Sequence, residues 1–188
     1  MKDQWAESAM EKGSVRLGKL EYYRRWENRL LGDPNDGKGL FHLDRNPLQT
    51  DSGNEVYAWC LSLRNITQDH ILRLVGASGY NCILVVDAPE EFFRRVKDWL
   101  SKHLNAYWLH CGMVTYNRGE SVDNATANAQ KFHFNVFQKA LRFHQDMEYR
   151  MSVTDLTFGR RTEDHLDIEI GNCHDIMSIR ALPKPVAE

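Results

Sequence analysis

Glu55-Val56-Tyr57-Ala58-Trp59-Cys60-Leu61-Ser62-Leu63 reads as a β-strand whose two alternating faces are both largely apolar. Successive strand residues point to opposite sides of a sheet, so a strand apolar on both sides predicts a sheet covered on both. Further along, Asn81–Val86 reads as a second buried strand and Tyr107–Tyr116 as a longer strand of alternating character. Shorter strands are expected at Ser14–Gly18, Leu40–Leu43, Met147–Val153 and Leu166–Ile170.

Helical spacing separates these runs. Lys19–Leu31 carries Leu20, Tyr23 and Leu30 at helical intervals and is stopped by Gly32 and Pro34. A short helix is expected over Thr67–Val75, capped by Thr67 or Asp69. A longer one opens at Asp87-Ala88-Pro89-Glu90 and runs to about His103. Ala127–Phe143 shows the clearest stripe: Phe132, Val136, Ala140 and Phe143 inward, with Lys131, Asn135, Gln138, Lys139 and Arg142 toward water. Cys173–Ile179 reads as a terminal helical turn. Strands and helices alternate without a strict βαβ rhythm, which predicts an α+β fold, a single domain over 1–188 with a mixed or largely antiparallel sheet and packed helices. Phe132, Val136, Phe137, Cys60, Ile83, Val85, Val96 and Leu100 are the expected core, gathered in one cluster, and residues 1–13 and 183–188 are expected to be loose tails.

Composition narrows the classes. Apolar residues make up 42% of the 188-residue chain, enough for one sizeable core and against a largely disordered chain. A net charge of −2 sets up no global field toward nucleic acid or an anionic membrane, although a local basic patch would suffice for the former. The longest apolar run, Cys82–Val86, is far too short for a membrane span, and Met1–Ser14 has no apolar signal region, so a cytoplasmic protein without membrane contact is expected. Two glycosylation sequons, at Asn65 and Asn124, are then chance matches. Cys60, Cys82, Cys111 and Cys173 lack CxxC spacing. His110 and Cys111 are neighbours on a strand and point to opposite faces, so no metal site is expected.

Three segments put polar residues where a core does not ask for them. In Val15-Arg16-Leu17-Gly18-Lys19-Leu20-Glu21-Tyr22-Tyr23-Arg24, an arginine inside a short apolar strand is followed by two tyrosines. A guanidinium beside aromatic rings suits a diphosphate and a stacked base; the alternative is Arg16 facing solvent from an edge strand with the tyrosines in the core. Ser62 ends the strand that opened this reading, where a serine can orient a carboxylate or a ribose, or simply bond back to the chain. In Phe143–Met151, Glu148 and Arg150 share a strand face, and two readings follow. Either they pair as a structural salt bridge, or Glu148 holds a ribose hydroxyl and steadies the positive charge that develops when the bond to nicotinamide breaks.

VRLGKLEYYR at Val15–Arg24, the DP-x-D-G loop at Asp33–Gly37, CLSL at Cys60–Leu63 and FQKAL…MEYRM from Phe137 to Met151 together resemble a group of bacterial antiphage-defence proteins. The set is also similar to the arginine, serine, glutamate order of ADP-ribosyltransferases, including toxins held by an antitoxin. That resemblance implies an ADP-ribosyltransferase-like fold and NAD as substrate. It implies Arg16 on the NAD diphosphate, Tyr22 and Tyr23 walling the pocket, Ser62 ordering it and Glu148 as catalytic glutamate. It further implies a toxin acting in phage defence, with an antitoxin or chaperone partner. Two residues depart from the family pattern: Ser62 lacks the serine-threonine-serine run, and Asp146 stands two before Glu148 in place of Glu or Gln. The latter favours an RNA or DNA acceptor over protein.

Two other classes stay open. A non-catalytic binding or adaptor module of a conflict system needs no site. A metal-dependent nuclease would draw ligands from Asp33, Asp36, His42, Glu55 or Asp87, without the spacing such sites usually show.

Overall fold

Val56–Ser62 forms strand β4, and β4 lies in the middle of the main sheet, as its two apolar faces require. In the computed structural model, residues 1–25, 33–43, 46–51, 56–63, 67–116, 134–156 and 163–182 are described. The elements in chain order are α1 (Asp3–Lys12), β1 (Ser14–Lys19), α2 (Leu20–Arg24), β2 (Lys38–Leu43), β3 (Asn46–Asp51), β4 and α3 (Gln68–Ser78). There follow β5 (Cys82–Val86), α4 (Pro89–His103), β6 (Tyr107–Met113), 3-10 turns at Phe134–Phe137 and Leu141–Asp146, β7 (Glu148–Asp155), β8 (His165–Glu169) and β9 (Met177–Ala181).

Five strands pair in the order β6-β7-β4-β1-β8, every neighbour antiparallel. β2–β3 and β5–β9 form separate antiparallel ribbons. The protein is thus a single α+β domain built on an antiparallel sheet.

One face of the sheet packs Val15, Leu17, Tyr57, Met151, Val153, Leu166 and Ile168 against Phe92, Val96 and Leu100 of α4. α4 buries those three residues at helical spacing and sends Arg94 and Asp98 outward as an ion-paired rim. The opposite face carries a smaller apolar cluster of Leu20, Val56, Ala58 and Val136, with Tyr23 and Phe137 against it. The core is therefore divided by the sheet into two clusters, where one was expected. A strand apolar on both faces cannot bury them in one place.

Several expectations are corrected. Residues 3–12 of the expected loose N-terminal tail form α1, which buries Ala6, Ala9 and Met10. The 183–188 tail lies outside the described residues. Asn81–Val86 is expected to be a buried strand, but β5 pairs only with β9 among the described residues, and Ile83 and Val85 are half-buried. The expected helical turn at Cys173–Ile179 is a turn leading into β9. Cys60 reaches solvent where a core residue was expected.

The largest correction concerns Ala127–Phe143. Its described part, from Phe134, is no α-helix but two 3-10 turns joined by an extended piece. Thr115 N–H donates to the Phe137 carbonyl (2.8 Å) and Lys139 N–H to the Thr115 carbonyl (3.0 Å), so this segment follows the end of β6 like a short strand. The 3.6-residue periodicity no longer applies, and Gln138 and Lys139, assigned to water, are buried. Phe132 and the rest of 127–133 lie outside the described residues.

Candidate functional site

Register decides which side chains meet. Gly18 pairs with Ala58, Ala58 with Ser152, Cys60 with Arg150 and Ser62 with Glu148. Counting by twos from these pairs puts Arg16, Ser62 and Glu148 on one face of the sheet, opposite α4. Arg16 lies on β1 and Glu148 on β7, two strands and about two residues apart, so their backbones are separated by roughly 12 Å.

At the β7 end stands a buried chain of charges. Arg150, fully buried, holds Asp36 with two parallel bonds (Nη1–Oδ1 2.8 Å, Nη2–Oδ2 3.1 Å) and donates through Nε to Glu148 Oε1 (2.7 Å). Its Nη1 also donates to the Val136 carbonyl. The other oxygen of Glu148, Oε2, meets Lys139 Nζ at 2.6 Å, and Lys139 in turn lies 3.4 Å from Asp146. Asp146 Oδ1 contacts His70 Nε2 at 3.0 Å. A side chain that looks like a solvated lysine in the sequence is therefore the second counter-ion of Glu148.

The electrostatics follow from the pairing. Burial drives the Glu148 carboxyl upward, but Arg150 and Lys139 outweigh it and hold it well below the usual carboxylate range. Glu148 is an anion at neutral pH. Burial lowers Lys139 and Glu148 raises it, the net being upward. Burial pushes the Cys60 thiol far up, with Glu148 adding to the effect. Although part of Cys60 reaches solvent, its sulfur stays protonated and is no nucleophile at neutral pH.

The backbone around Glu148 is fixed with equal care. Met147 adopts φ 43°, a left-handed conformation that costs a non-glycine residue about 1–2 kcal/mol, at the point where the chain turns from Asp146 into β7. The Glu148 amide donates to Tyr116 Oη (2.8 Å), and its carbonyl accepts from Val114 N–H (2.9 Å).

Tyr23 lies between the two ends of the face. Its hydroxyl donates to the Ala58 carbonyl (3.3 Å), and the phenolic end of its ring sits over Gly18, where an added Cβ would fall 2.7 Å from Cζ. Burial raises the Tyr23 phenol far above its usual range. Gly18→Ala should therefore expel the ring from its seat and cost about 1–3 kcal/mol, as overpacking does, measurable as a lower melting temperature. An unchanged melting temperature would mean that Tyr23 is free to move.

At the β1–β8 end, Arg16 points outward, 65% exposed, and makes a two-pronged pair with Asp167 directly opposite it (Nε–Oδ1 2.7 Å, Nη2–Oδ2 3.0 Å). That pair raises the Arg16 pKa above its ordinary value. β1 lies between β4 and β8 in the strand order, but its ladder with β4 runs over Gly18 and Lys19, so among the described residues Arg16 is paired on the β8 side. Tyr22 packs edge-on against His165, ring centroids 4.6 Å apart, on the same face.

The five sequence-derived residues thus share a face but form two groups: Arg16 and Tyr22 at β8, and Ser62 and Glu148 at β7, with Tyr23 between them. Sequence reasoning offers Asp36 only as a ligand in the nuclease alternative and gives Lys139 to water. The structure gives both to the network around Glu148 and Arg150. Their signal in the sequence was weak: an aspartate in a turn-rich loop, and a lysine on an apparent helix. Among the described residues no cluster of three or more His, Cys, Asp or Glu is arranged to hold a metal ion. Among the described residues no helix is long and apolar enough to cross a membrane. Compared with protein-family models, curated proteins and solved structures, the chain finds no match.

Proposed function

We propose that this chain is an NAD-dependent ADP-ribosyltransferase, with Arg16 on the diphosphate, Tyr22 and Tyr23 as the wall, Ser62 on the ribose and Glu148 at the anomeric carbon. The observation that carries the reading is register: three polar residues far apart in sequence fall on one sheet face, within the reach of a dinucleotide. Packing does not demand that coincidence. Ser62 is exposed directly across from Glu148 and marks the approach to the carboxylate.

In this reading the bond between the anomeric carbon and the nicotinamide nitrogen breaks, its electron pair leaving with neutral nicotinamide. A lone pair of the acceptor then forms the new bond and the acceptor loses a proton. Glu148, anionic at neutral pH, offsets the positive charge that develops on the sugar. A nucleic-acid acceptor, a role in phage defence and an antitoxin partner belong to the same proposal and rest on the sequence resemblance alone.

One observation favours a second reading, a non-catalytic binding module. Both oxygens of Glu148 are held by cations, and its side chain is almost wholly buried. The pair Asp36–Arg150 likewise leaves Asp36 poorly placed as a nuclease ligand.

Ligand-dependent melting separates the classes. NAD at a hundredfold excess over its dissociation constant should stabilise the fold by about 2.7 kcal/mol, a rise of roughly 5–10 °C in a domain of this size. Label from NAD should appear on RNA, DNA or protein in the same preparation. Stabilisation by a divalent metal with none from NAD would overturn the transferase reading.

A further inference from the structure

We infer that Asp167 occupies the anion seat of Arg16 and that the diphosphate of a nucleotide displaces it; this rests on the transferase reading for the identity of the ligand. A planar guanidinium offers two parallel N–H donors, and a carboxylate and a phosphate both fit that fork. Asp167 takes both donors, at 2.7 and 3.0 Å. It comes from β8, register-matched to Arg16, so the backbone itself delivers the carboxylate to the seat.

The pair is built to open. Arg16 and Asp167 are 65% and 56% exposed, and ion pairs in water hold weakly because solvent screens them and two side chains must be immobilised. In this the pair contrasts with Arg150–Asp36, buried at the other end of the same face. A diphosphate carries more charge than a carboxylate and brings its own binding energy, so exchange at Arg16 is favourable where exchange at Arg150 is not. The rings of Tyr22 and His165, in edge contact beside the pair, offer an apolar flank to the rest of a nucleotide. Asp167 is thus a positioning residue with an inhibitory effect: it keeps Arg16 aimed along the face and competes with the ligand for it.

The test titrates inorganic pyrophosphate and NAD against wild type, Asp167→Asn, Arg16→Ala and the double variant, at one fixed ionic strength. Asp167→Asn keeps the shape and removes the competing charge, so both probes should bind about two- to fivefold more tightly, the range an exposed pair allows. Its melting temperature should stay within about two degrees of wild type. Arg16→Ala should abolish the gain, and Asp98→Asn, the same charge change on α4 across the sheet, should give none. Unchanged or weaker binding in Asp167→Asn overturns the inference, as does a gain that survives Arg16→Ala or appears equally in Asp98→Asn. Tighter pyrophosphate binding without transfer of label from NAD sustains the inference and ends the transferase reading. Transfer of label with an unchanged KM for NAD in Asp167→Asn does the reverse.

Discussion

Arg150→Ala is expected to cost about 3–5 kcal/mol, a fall in melting temperature on the order of 10 °C or more. The substitution removes the buried cation that Asp36 and Glu148 share, leaving Glu148 with Lys139 as its counter-ion and taking the two-pronged partner from Asp36. It also leaves the Val136 carbonyl without that donor. Removing one partner of a buried network costs far more than the network contributes in net terms, because the desolvation of the others is no longer offset. Neutralising the set is a different experiment: replacing Asp36, Lys139, Glu148 and Arg150 together with apolar residues of similar volume should recover much of the loss. Thermal denaturation of the single and quadruple variants checks both statements. A single variant within about 1 kcal/mol of wild type would mean that solvent reaches the site.

Glu148→Gln is the second large effect, and it divides the two functional readings. If Glu148 stabilises the developing sugar cation, the amide keeps the shape but removes the charge, and label transfer from NAD should fall on the order of a hundredfold or more. The fold also loses an anion between Arg150 and Lys139, so stability should drop in the same preparation, by up to about 3–5 kcal/mol. Activity must therefore be expressed per folded molecule. A variant that is destabilised yet fully active per folded molecule makes Glu148 architecture. Lys139→Met is the natural companion, since it removes the other cation without touching the carboxylate.

Much of this arrangement was legible in the sequence, and the illegible part has a physical cause. β4 could be placed as an interior strand because both of its faces are apolar, and α4 could be placed because its stripe has helical period and a proline start. Glu148 and Arg150 were read as sharing a face, and they do pair. What could not be read was Asp36, because its partner lies 114 residues away and nothing local marks an aspartate in a turn as buried. Lys139 is illegible because the amphipathic stripe around it has helical period, while backbone pairing with Thr115 gives the segment an extended course. For Arg16 the sequence offers two surroundings, a diphosphate site or open solvent, and its partner Asp167 is a long-range match that only strand order reveals.

The position of β1 and β4 inside the sheet bears on how the protein is made. β1 and β4 leave the ribosome early, whereas β7 and β8, which flank them, come about a hundred residues later. At about 5–20 residues per second the nascent chain waits roughly 5–20 s with both sides of the β1–β4 pair uncovered. During that interval Asp36 has no Arg150 to neutralise it, and the surface that Val136 will cover is open. The sheet can close only when the last third of the chain has emerged. Premature release or a stalled ribosome would therefore yield a sticky fragment, and chaperone demand should rise most steeply for chains cut between β4 and β8.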